Sequence, residues 1–277
     1  YVPRDVIDQF FVNPEAMLVG DSRVLAVLFS DIRSFTTIAE SLLPDEIVES
    51  LNGYFGTMVD VIMNRNGIVD KFIGDAIMAF FGAPVRHDDD ALQAALSGLD
   101  MLDALDRFNS VQEETGRPQF KIGIGINYGV VTVGNIGSDK KMDYTVIGDM
   151  VNVASRLEEL TKVYQQPLIF SESVFRKVEG TFPCRLIDRV AVRGRMEGVR
   201  IYTARKTLTE SEKKAWDLHH QGMELYYKRE FAKAADLFNS ALDYLSGDTV
   251  LEILITRCRQ YAEYPPDDEW SGVVLLS

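Results

Sequence analysis

The stretch FSDIRSFTT, from Phe29 to Thr37, places an aspartate where an apolar strand turns into a helix. The run that leads into it, RVLAVLFS (residues 23–30), has little polar alternation, which is typical of a strand covered on both faces. A second stretch, VDKFIGDAIMAFF (residues 69–81), predicts a hairpin with its tight turn at Gly74-Asp75. If these strands are neighbours, the carboxylates of Asp31 and Asp75 meet at one place.

Two carboxylates a few ångströms apart repel each other unless a cation lies between them, and hard oxygen ligands favour Mg²⁺ or Mn²⁺. The helix start at residues 32–37 adds unpaired backbone N–H groups that can face an anion, so Phe35 and Thr36 are candidate substrate-binding residues. Metal ions beside such amides indicate a polyphosphate substrate. Taken singly, Asp31 could cap a helix and Asp75 could fill a turn, but the pair favours the functional interpretation.

The whole chain has 277 residues, of which 46% are apolar and 26% charged, an ordinary globular composition. Its formal charge of −13 argues against nucleic acid or anionic lipid as a partner. Cys184 and Cys258 are the only two cysteines and lie far apart in the sequence, so neither a disulfide framework nor a metal-binding spacing is indicated, and we expect inert buried thiols in a reducing compartment. No apolar run approaches the roughly 20 residues of a membrane span, so we expect this portion of the protein to be soluble and cytoplasmic.

The order of predicted elements indicates an α+β fold with helices over one mixed sheet. Helices are predicted at 45–65, 91–108 and 149–160, and strand pairs at 120–126 with 130–134, around Asn127-Tyr128-Gly129, and at 185–192 with 199–204. The chain begins at Tyr1 without an initiator Met, so it looks like an excised piece. An upstream sensor or membrane region is left open.

From Thr209 the pattern becomes wholly helical. A set of small and aromatic residues has the spacing of one tetratricopeptide helix pair: Gly222, Tyr226, Phe231, Ala234, Ala235, Phe238 and Ala241. A third helix is predicted at 250–261. Because a single repeat cannot cover its own apolar face, this tail is expected to dock on the main domain or on another chain.

Three segments closely resemble, in order, the signature segments of class III nucleotidyl cyclase catalytic domains. They are FSDIRSFTT, DKFIGDAIMAFFG and YTVIGDMVNVASRLE, and the resemblance spans roughly residues 24–204. It implies a ferredoxin-like mixed sheet sandwich covered by helices. The expected domains are an N-terminal linker or transducing segment (1–21), the catalytic domain (22–206) and a helical tetratricopeptide-like extension (207–277).

The resemblance also implies a role for the acidic pair. Asp31 and Asp75, with the backbone carbonyl of Ile32, are expected to bind two divalent ions, Mg²⁺ or Mn²⁺, at each site. One ion would activate the ribose 3′ hydroxyl for in-line attack on the α-phosphate, and the other would neutralise the triphosphate. The expected products are a 3′,5′-cyclic nucleotide and pyrophosphate.

Four further residues match family positions that handle the substrate. Asn152 and Arg156 are four residues apart, so they project from one helix face, where the family orients the ribose and stabilises charge on the transferring phosphate. Lys71 and Thr145 match the pair that reads the purine. Their ammonium and hydroxyl suit a ring nitrogen and the exocyclic amine of adenine, although Asp is common where this chain has Thr. ATP is therefore the expected substrate.

Two basic residues are additional candidates for binding the phosphates. Arg193 matches a late basic position of the family where Lys is common. Lys140, in the loop from Ser138 to Lys141, is a weaker match, and a solvated loop lysine is an equally good interpretation of it.

In the family the metal-binding residues and the base-reading residues of one site come from different protomers. This chain carries both half-sets, so the resemblance implies a homodimer with two shared sites. Two alternatives remain open: a guanylyl cyclase, in which Glu and Cys are expected at the base-reading positions, and a catalytically silent nucleotide-binding or scaffold module. Against the silent module, no signature position is lost.

Overall fold

The computed structural model describes residues 20–138, 140–191 and 198–275, so most of the predicted linker and Arg193 lie outside the described residues. Packing divides the described chain into two units. One contains the residues up to Thr161 together with Pro167–Val178, and the other contains Lys162–Gln166 together with the residues from Glu179. The domain boundaries given above stay a prediction.

The first unit is built on a mixed sheet. Its strands are β1 (Asp21–Ile32), β2 (Ile68–Ile73), β3 (Ala76–Phe81), β4 (Ile122–Ser138), β5 (Lys141–Ile147) and β6 (Leu168–Ser171). Central β1 is antiparallel to both β3 and β4, β2 pairs with β3, and β4 also pairs with β5 and, in parallel, with β6. The predicted hairpin with its turn at Gly74-Asp75 is confirmed.

Helices cover both faces of this sheet. They are α1 (Phe35–Ala39), α2 (Pro44–Asn64), α3 (Asp90–Glu114), α4 (Asp149–Tyr164) and α5 (Glu172–Val178). In β1 the residues from Leu25 to Leu28 are all buried, because Leu25 and Val27 pack with Ala154 of α4 while α3 packs against the sheet as well. The predicted α+β fold, with a central strand covered on both faces, is confirmed.

The predicted turn at Asn127-Tyr128-Gly129 is wrong. β4 continues through this segment as one strand of 17 residues, and Gly129 pairs with Leu25 in β1. The Asn127 side chain does not support a turn either, since its Nδ2 donates to the main-chain oxygen of Met150 at 2.9 Å. The hairpin partner of β4 is instead β5, which begins at Lys141.

Gly125 of β4 determines how closely α4 approaches the sheet. A Cβ atom at this position would lie 2.2 Å from the backbone nitrogen of Glu158 and 2.4 Å from the backbone oxygen of Ala154. Only glycine lets the helix backbone lie directly against the strand backbone. This contact fixes the depth and orientation of α4, and with it the positions of Asn152 and Arg156.

The second unit combines the last strands with the helical tail. Its elements are β7 (Cys184–Ala191), β8 (Gly198–Ala204), α6 (Glu210–Tyr227), α7 (Phe231–Leu242), α8 (Thr249–Glu263) and β9 (Val274–Leu275). The three predicted tail helices are confirmed, whereas their tetratricopeptide character stays a prediction. In the described part of the chain, no helix has both the length and the apolar character needed to cross a bilayer.

The tail helices pack on β7 through a buried charge network, formed by Arg185, Asp188, His219, Asp248 and Arg257. Arg185 binds both oxygens of Asp248 at 2.8 Å, and Arg257 binds Asp188 at 2.8 Å. Asp248 also caps α8 by accepting from the backbone N–H of Leu251 at 2.9 Å. Each of these charges is therefore paired, as burial requires.

His219 lies fully buried in this network and is held in one tautomer. Arg185 can only donate, so the 3.2 Å contact makes Nδ1 of His219 an acceptor. Its Nε2–H then donates to the main-chain oxygen of Leu186 at 2.7 Å. Burial first, and then the positive charge of Arg185, lower the pKa of His219 well below its ordinary value, so the ring is neutral.

Both cysteines are free thiols. Burial raises the pKa of Cys184 to about 12, and a nearby Glu179 acts in the same direction. Burial likewise raises the pKa of Cys258 to about 12. Neither sulfur is a thiolate at neutral pH, in agreement with the expectation of inert thiols.

Candidate active site

The β1–β3 register brings the two candidate metal ligands to one edge of the sheet. Ser30 is paired with Ile77, and continuing the antiparallel register places Asp31 opposite Ala76 and Ile32 opposite Asp75. Gly74 adopts φ of +65° in the turn, a conformation that favours glycine. The predicted adjacency of the two strands is confirmed, and the metal-binding role of their aspartates stays a prediction.

Tyr54 of α2 reports the electrostatics of this edge. Its ring is buried and its hydroxyl lies 3.4 Å from Oγ of Ser30. Burial raises the pKa of Tyr54, the hydrogen bond with Ser30 lowers it by a smaller amount, and the negative charges of Asp31 and Asp75 add smaller contributions that raise it. Both carboxylates therefore act on the same hydroxyl, which is expected if they converge.

Arg33 also lies at the end of β1, and the sequence analysis did not single it out. Burial lowers the pKa of its guanidinium, while the charges of Glu158 and Asp31 oppose that shift. Glu158 belongs to α4, so the end of β1 and the helix that carries Arg156 are within electrostatic reach of one another.

The donors at this edge fit a hard divalent cation. Asp31 and Asp75 are both partly exposed, and their carboxylates, with the main-chain carbonyl of Ile32 next to Asp31, are oxygen ligands of the kind that such an ion prefers. Within residues 20–138, 140–191 and 198–275, no group of three or more acidic, histidine or cysteine side chains could hold a metal ion.

The two candidate base-reading residues lie together in one protomer, joined by a third side chain. Oγ1 of Thr145 donates to Oδ2 of Asp70 at 2.5 Å, and Nζ of Lys71 lies 3.6 Å from Oδ1 of the same carboxylate. Thr145 is 6% exposed and the Asp70 side chain 1%, whereas the Lys71 side chain is 40% exposed. The Lys71 ammonium is thus held by the buried Asp70 carboxylate, while its exposed side is accessible to a ligand.

Asp70 is a second residue near the candidate site that sequence reasoning missed. Neighbouring residues in a regular strand point to opposite faces, so an acid beside Lys71 appears irrelevant to it. The pairing of β2 with β3 shifts between Val69 and Lys71, which makes Asp70 the extra residue of a β-bulge. The only signal in the sequence is an acid beside a lysine within an apolar hairpin, and it does not reveal the bulge.

The other predicted site residues have the following placements. On α4, Asn152 is exposed and Arg156 partly exposed, one turn apart. Phe35 begins α1, and its ring packs edge-on against that of Phe120 with 6.2 Å between the ring centroids. Thr36 is exposed. Lys140 is exposed between β4 and β5. The roles of these residues stay predictions.

Comparison with known proteins identifies the family. The adenylate and guanylate cyclase catalytic domain matches residues 20–206. An adenylate cyclase of Anabaena cylindrica is 43% identical over 190 residues, which are 66% of this chain and 37% of that protein. The terminal-differentiation-specific adenylate cyclase of Dictyostelium discoideum is 33% identical over 264 residues, 89% of this chain and 12% of that protein. The chain thus spans well under half the length of these relatives.

Solved structures agree with this assignment. The adenylyl cyclase CyaB from P. aeruginosa superposes with a TM-score of 0.65 at 34% identity, over 70% of this chain and 99% of that chain. The guanylyl cyclase Cya2 gives a TM-score of 0.61 at 37% identity, over 67% of this chain and 93% of that chain. By its sequence and its fold, the chain belongs to the family of adenylate and guanylate cyclase catalytic domains.

Proposed function

We propose that this chain is the catalytic part of an adenylyl cyclase, which converts ATP to 3′,5′-cyclic AMP and pyrophosphate at sites shared between the two protomers of a homodimer. The observation that carries the proposal is the β1–β3 register, which brings Asp31 and Asp75 to one edge of the sheet. Oxygen ligands converging there suit the ions that a triphosphate requires.

The proposed mechanism divides the work between two half-sites. Mg²⁺ or Mn²⁺ held by Asp31, Asp75 and the Ile32 carbonyl would supply charge neutralisation and activation of the 3′ hydroxyl. From the partner protomer, Asn152 orients the ribose and the guanidinium of Arg156 stabilises charge on the α-phosphate.

In the reaction the bond from the 3′ oxygen to the α-phosphorus forms, and the bond from that phosphorus to the bridging oxygen breaks. Pyrophosphate leaves in line with the attacking oxygen. The predicted set of residues includes no general base, so the 3′ proton passes to solvent. Lys140 and Arg193 are proposed to bind the phosphates of the substrate and product.

Family membership alone leaves the purine open, because both adenylyl and guanylyl cyclases are structurally similar to this chain. The choice of ATP is supported by the cluster around Lys71 and Thr145. An ammonium donates to a ring nitrogen of adenine, and the threonine oxygen accepts from its exocyclic amine. The anchoring of both groups on Asp70 supports a preformed base site.

A homodimer is supported by apolar side chains that the first unit leaves exposed. Phe72 and Ile73 of β2 are 47% and 52% exposed, and Met142 and Ile147 of β5 are 49% and 51% exposed. Exposed large apolar side chains are typical of surfaces that bind another protein when they form a contiguous patch. A second copy fits here, since the chain carries both half-sets of site residues.

A mixture of two inactive variants tests the shared site. Asp31→Ala and Arg156→Ala should each lose activity by about 10²-fold or more. When they are mixed and allowed to exchange subunits, each heterodimer contains one intact site. About a quarter of the wild-type cyclic AMP production per protomer is expected to return.

The matched control is a mixture of Asp31→Ala with Asp75→Ala. Both lesions then lie in the same half-site, so no heterodimer contains an intact site and no activity should return. If the first mixture also stays inactive although mass spectrometry shows heterodimers, the shared-site proposal is wrong. If the wild type forms cyclic GMP in preference to cyclic AMP, the choice of purine is wrong.

A cytoplasmic location follows as a part of this proposal, because ATP is available there and the free thiols of Cys184 and Cys258 suit a reducing compartment. We also propose that sensing or membrane regions lie upstream in a longer protein, because the match covers 37% of the Anabaena relative.

A further inference from the structure

Asp70 is a buried carboxylate in an unfavourable place, and a purely structural role does not account for it. Its side chain is 1% exposed, and among the described residues its Oδ1 has no hydrogen-bond donor beyond the 3.6 Å contact with the ammonium of Lys71. Burial raises the pKa of Asp70, against smaller lowering effects of Thr145 and Lys71. A neutral side chain would fill this space at a lower desolvation cost.

The hydrogen bond to Thr145 has a defined direction. An ionised carboxylate can only accept, so the single proton of the Thr145 hydroxyl is committed to Oδ2 of Asp70. The 2.5 Å separation is in the range of a charge-assisted O–H···O⁻ bond. Oγ1 of Thr145 then has only its lone pairs available, so towards a ligand the hydroxyl can accept a hydrogen bond but cannot donate one.

This direction matters for the two purines, because they differ at one edge. Adenine presents an exocyclic amine, which donates, where guanine presents a carbonyl, which accepts. A hydroxyl that can only accept forms a hydrogen bond with the adenine amine. Against the guanine carbonyl it places lone pairs opposite lone pairs, which repel each other. A freely rotating threonine could satisfy either base.

We propose that Asp70 is a specificity-determining positioning residue: by holding the Thr145 proton and the Lys71 ammonium it makes the base site select adenine over guanine. The inference rests on the proposed function. Asp70 acts through its two neighbours and need not touch the nucleotide itself. The β-bulge at Asp70 lets consecutive side chains, Asp70 and Lys71, approach each other.

Asp70→Asn tests the proposal with the shape almost unchanged. The ammonium of Lys71 attracts the amide oxygen, so the amide NH₂ faces Thr145 and donates to Oγ1. The hydroxyl proton is then free for a guanine carbonyl. We expect the ratio of kcat/KM for ATP to kcat/KM for GTP to fall by about tenfold or more relative to wild type.

The ratio separates a specificity role from a structural one. A variant that merely loosens the fold lowers both kcat/KM values together and leaves their ratio unchanged, and that result would overturn the proposal. In a Thr145→Val background, Asp70→Asn should leave the ratio unchanged, because no hydroxyl proton remains to be directed. A further fall of the ratio in that background would also contradict the proposal.

Two more variants keep the test decisive. Asp70→Leu removes the acceptor and the buried charge together, so it should fold if the amide does not, and the same loss of preference is expected. Asp106→Asn, an exposed carboxylate on α3, is the matched control and should keep the wild-type ratio. If wild type makes no cyclic AMP, the proposed function fails; if it does and the ratio never moves, only the role of Asp70 fails.

Discussion

Aspartates lie in contrasting environments in the two units of the molecule. We call the sheet edge that carries Asp31 and Asp75 the catalytic edge, after its proposed role. There the two carboxylates are partly exposed, and both act electrostatically on the hydroxyl of Tyr54. In the second unit, Asp188 is 0% exposed and the Asp248 side chain 7% exposed, and each is bound by an arginine at 2.8 Å. The first pair is proposed to bind a divalent cation from solution, and the second pair is neutralised within the protein.

This contrast shows how the same residue type can serve binding or stability. A carboxylate near water and near another carboxylate gains free energy when a divalent ion arrives, because repulsion is replaced by attraction. A carboxylate buried against arginine has already made its favourable contacts, and losing the partner leaves a desolvated charge. Substitutions in the two regions should therefore change different quantities.

The largest expected effect is on activity at the catalytic edge. Asp75→Asn should lower kcat by about 10²–10³-fold, because it removes a ligand charge that the transition state requires. The free energy of unfolding in the absence of metal should change by less than about 0.5 kcal/mol, since repulsion from Asp31 is also removed. Mn²⁺ should raise the melting temperature of wild type in the presence of a nucleotide analogue and not that of the variant. If Mn²⁺ raised the melting temperature of Asp75→Asn as much as that of wild type, Asp75 would not be a metal ligand and the contrast between the two regions would be wrong.

In the second unit the expected effect is on stability. Arg185→Leu leaves Asp248 buried without its bidentate partner and removes a donor to His219, so the free energy of unfolding should fall by about 3–5 kcal/mol. Urea unfolding followed by circular dichroism measures the change. Lys233→Ala, which breaks the exposed pair with Glu230, is the control and should unfold at the wild-type midpoint. An equally small change in Arg185→Leu would show that the network is not required for folding.

The smallest effect is on the pH dependence of that stability. His219 is buried and neutral, and its pKa is lowered by burial, by Arg185 and by His220, while the Leu186 carbonyl opposes the shift. The unfolded state therefore binds the proton first, and stability is fully present above about pH 6.5 and falls below it. The loss should be about 1.4 kcal/mol per pH unit.

His219→Gln should flatten this part of the curve, although it lowers stability at every pH. The comparison uses urea midpoints of wild type and variant between pH 7 and pH 5, where most carboxylates have not yet titrated. Parallel curves for the two proteins would show that His219 does not carry the dependence.

Much of the catalytic edge was predictable from the sequence because it is encoded locally. Asp31 ends an apolar strand and Asp75 occupies a tight turn, so strand pairing alone brings them together. The signature segments then supplied the roles expected of Lys71, Thr145 and Arg156. The tail helices were also visible, since their apolar spacing has the helical period.

What the sequence did not reveal depends on tertiary context. Asn127-Tyr128-Gly129 has the composition of a turn, yet the segment continues β4, and Gly129 lies where an added Cβ would be 2.4 Å from the terminal methyl carbon of Met150. Asp70 was missed because alternation predicts that it points away from Lys71. The charge network was missed because its members, from Arg185 to Arg257, are scattered along the chain and meet only after folding.

The bulge in β2 has a consequence for how this site can change. Asp70 is the extra residue between Val69 and Lys71, so a one-residue deletion that restored regular pairing with β3 would remove the carboxylate that Lys71 and Thr145 share. Under the proposed role of Asp70, strand length as well as residue identity determines which nucleotide base is accepted. A family member could exchange one purine for another through a single-codon insertion or deletion, with Lys71 and Thr145 themselves unaltered.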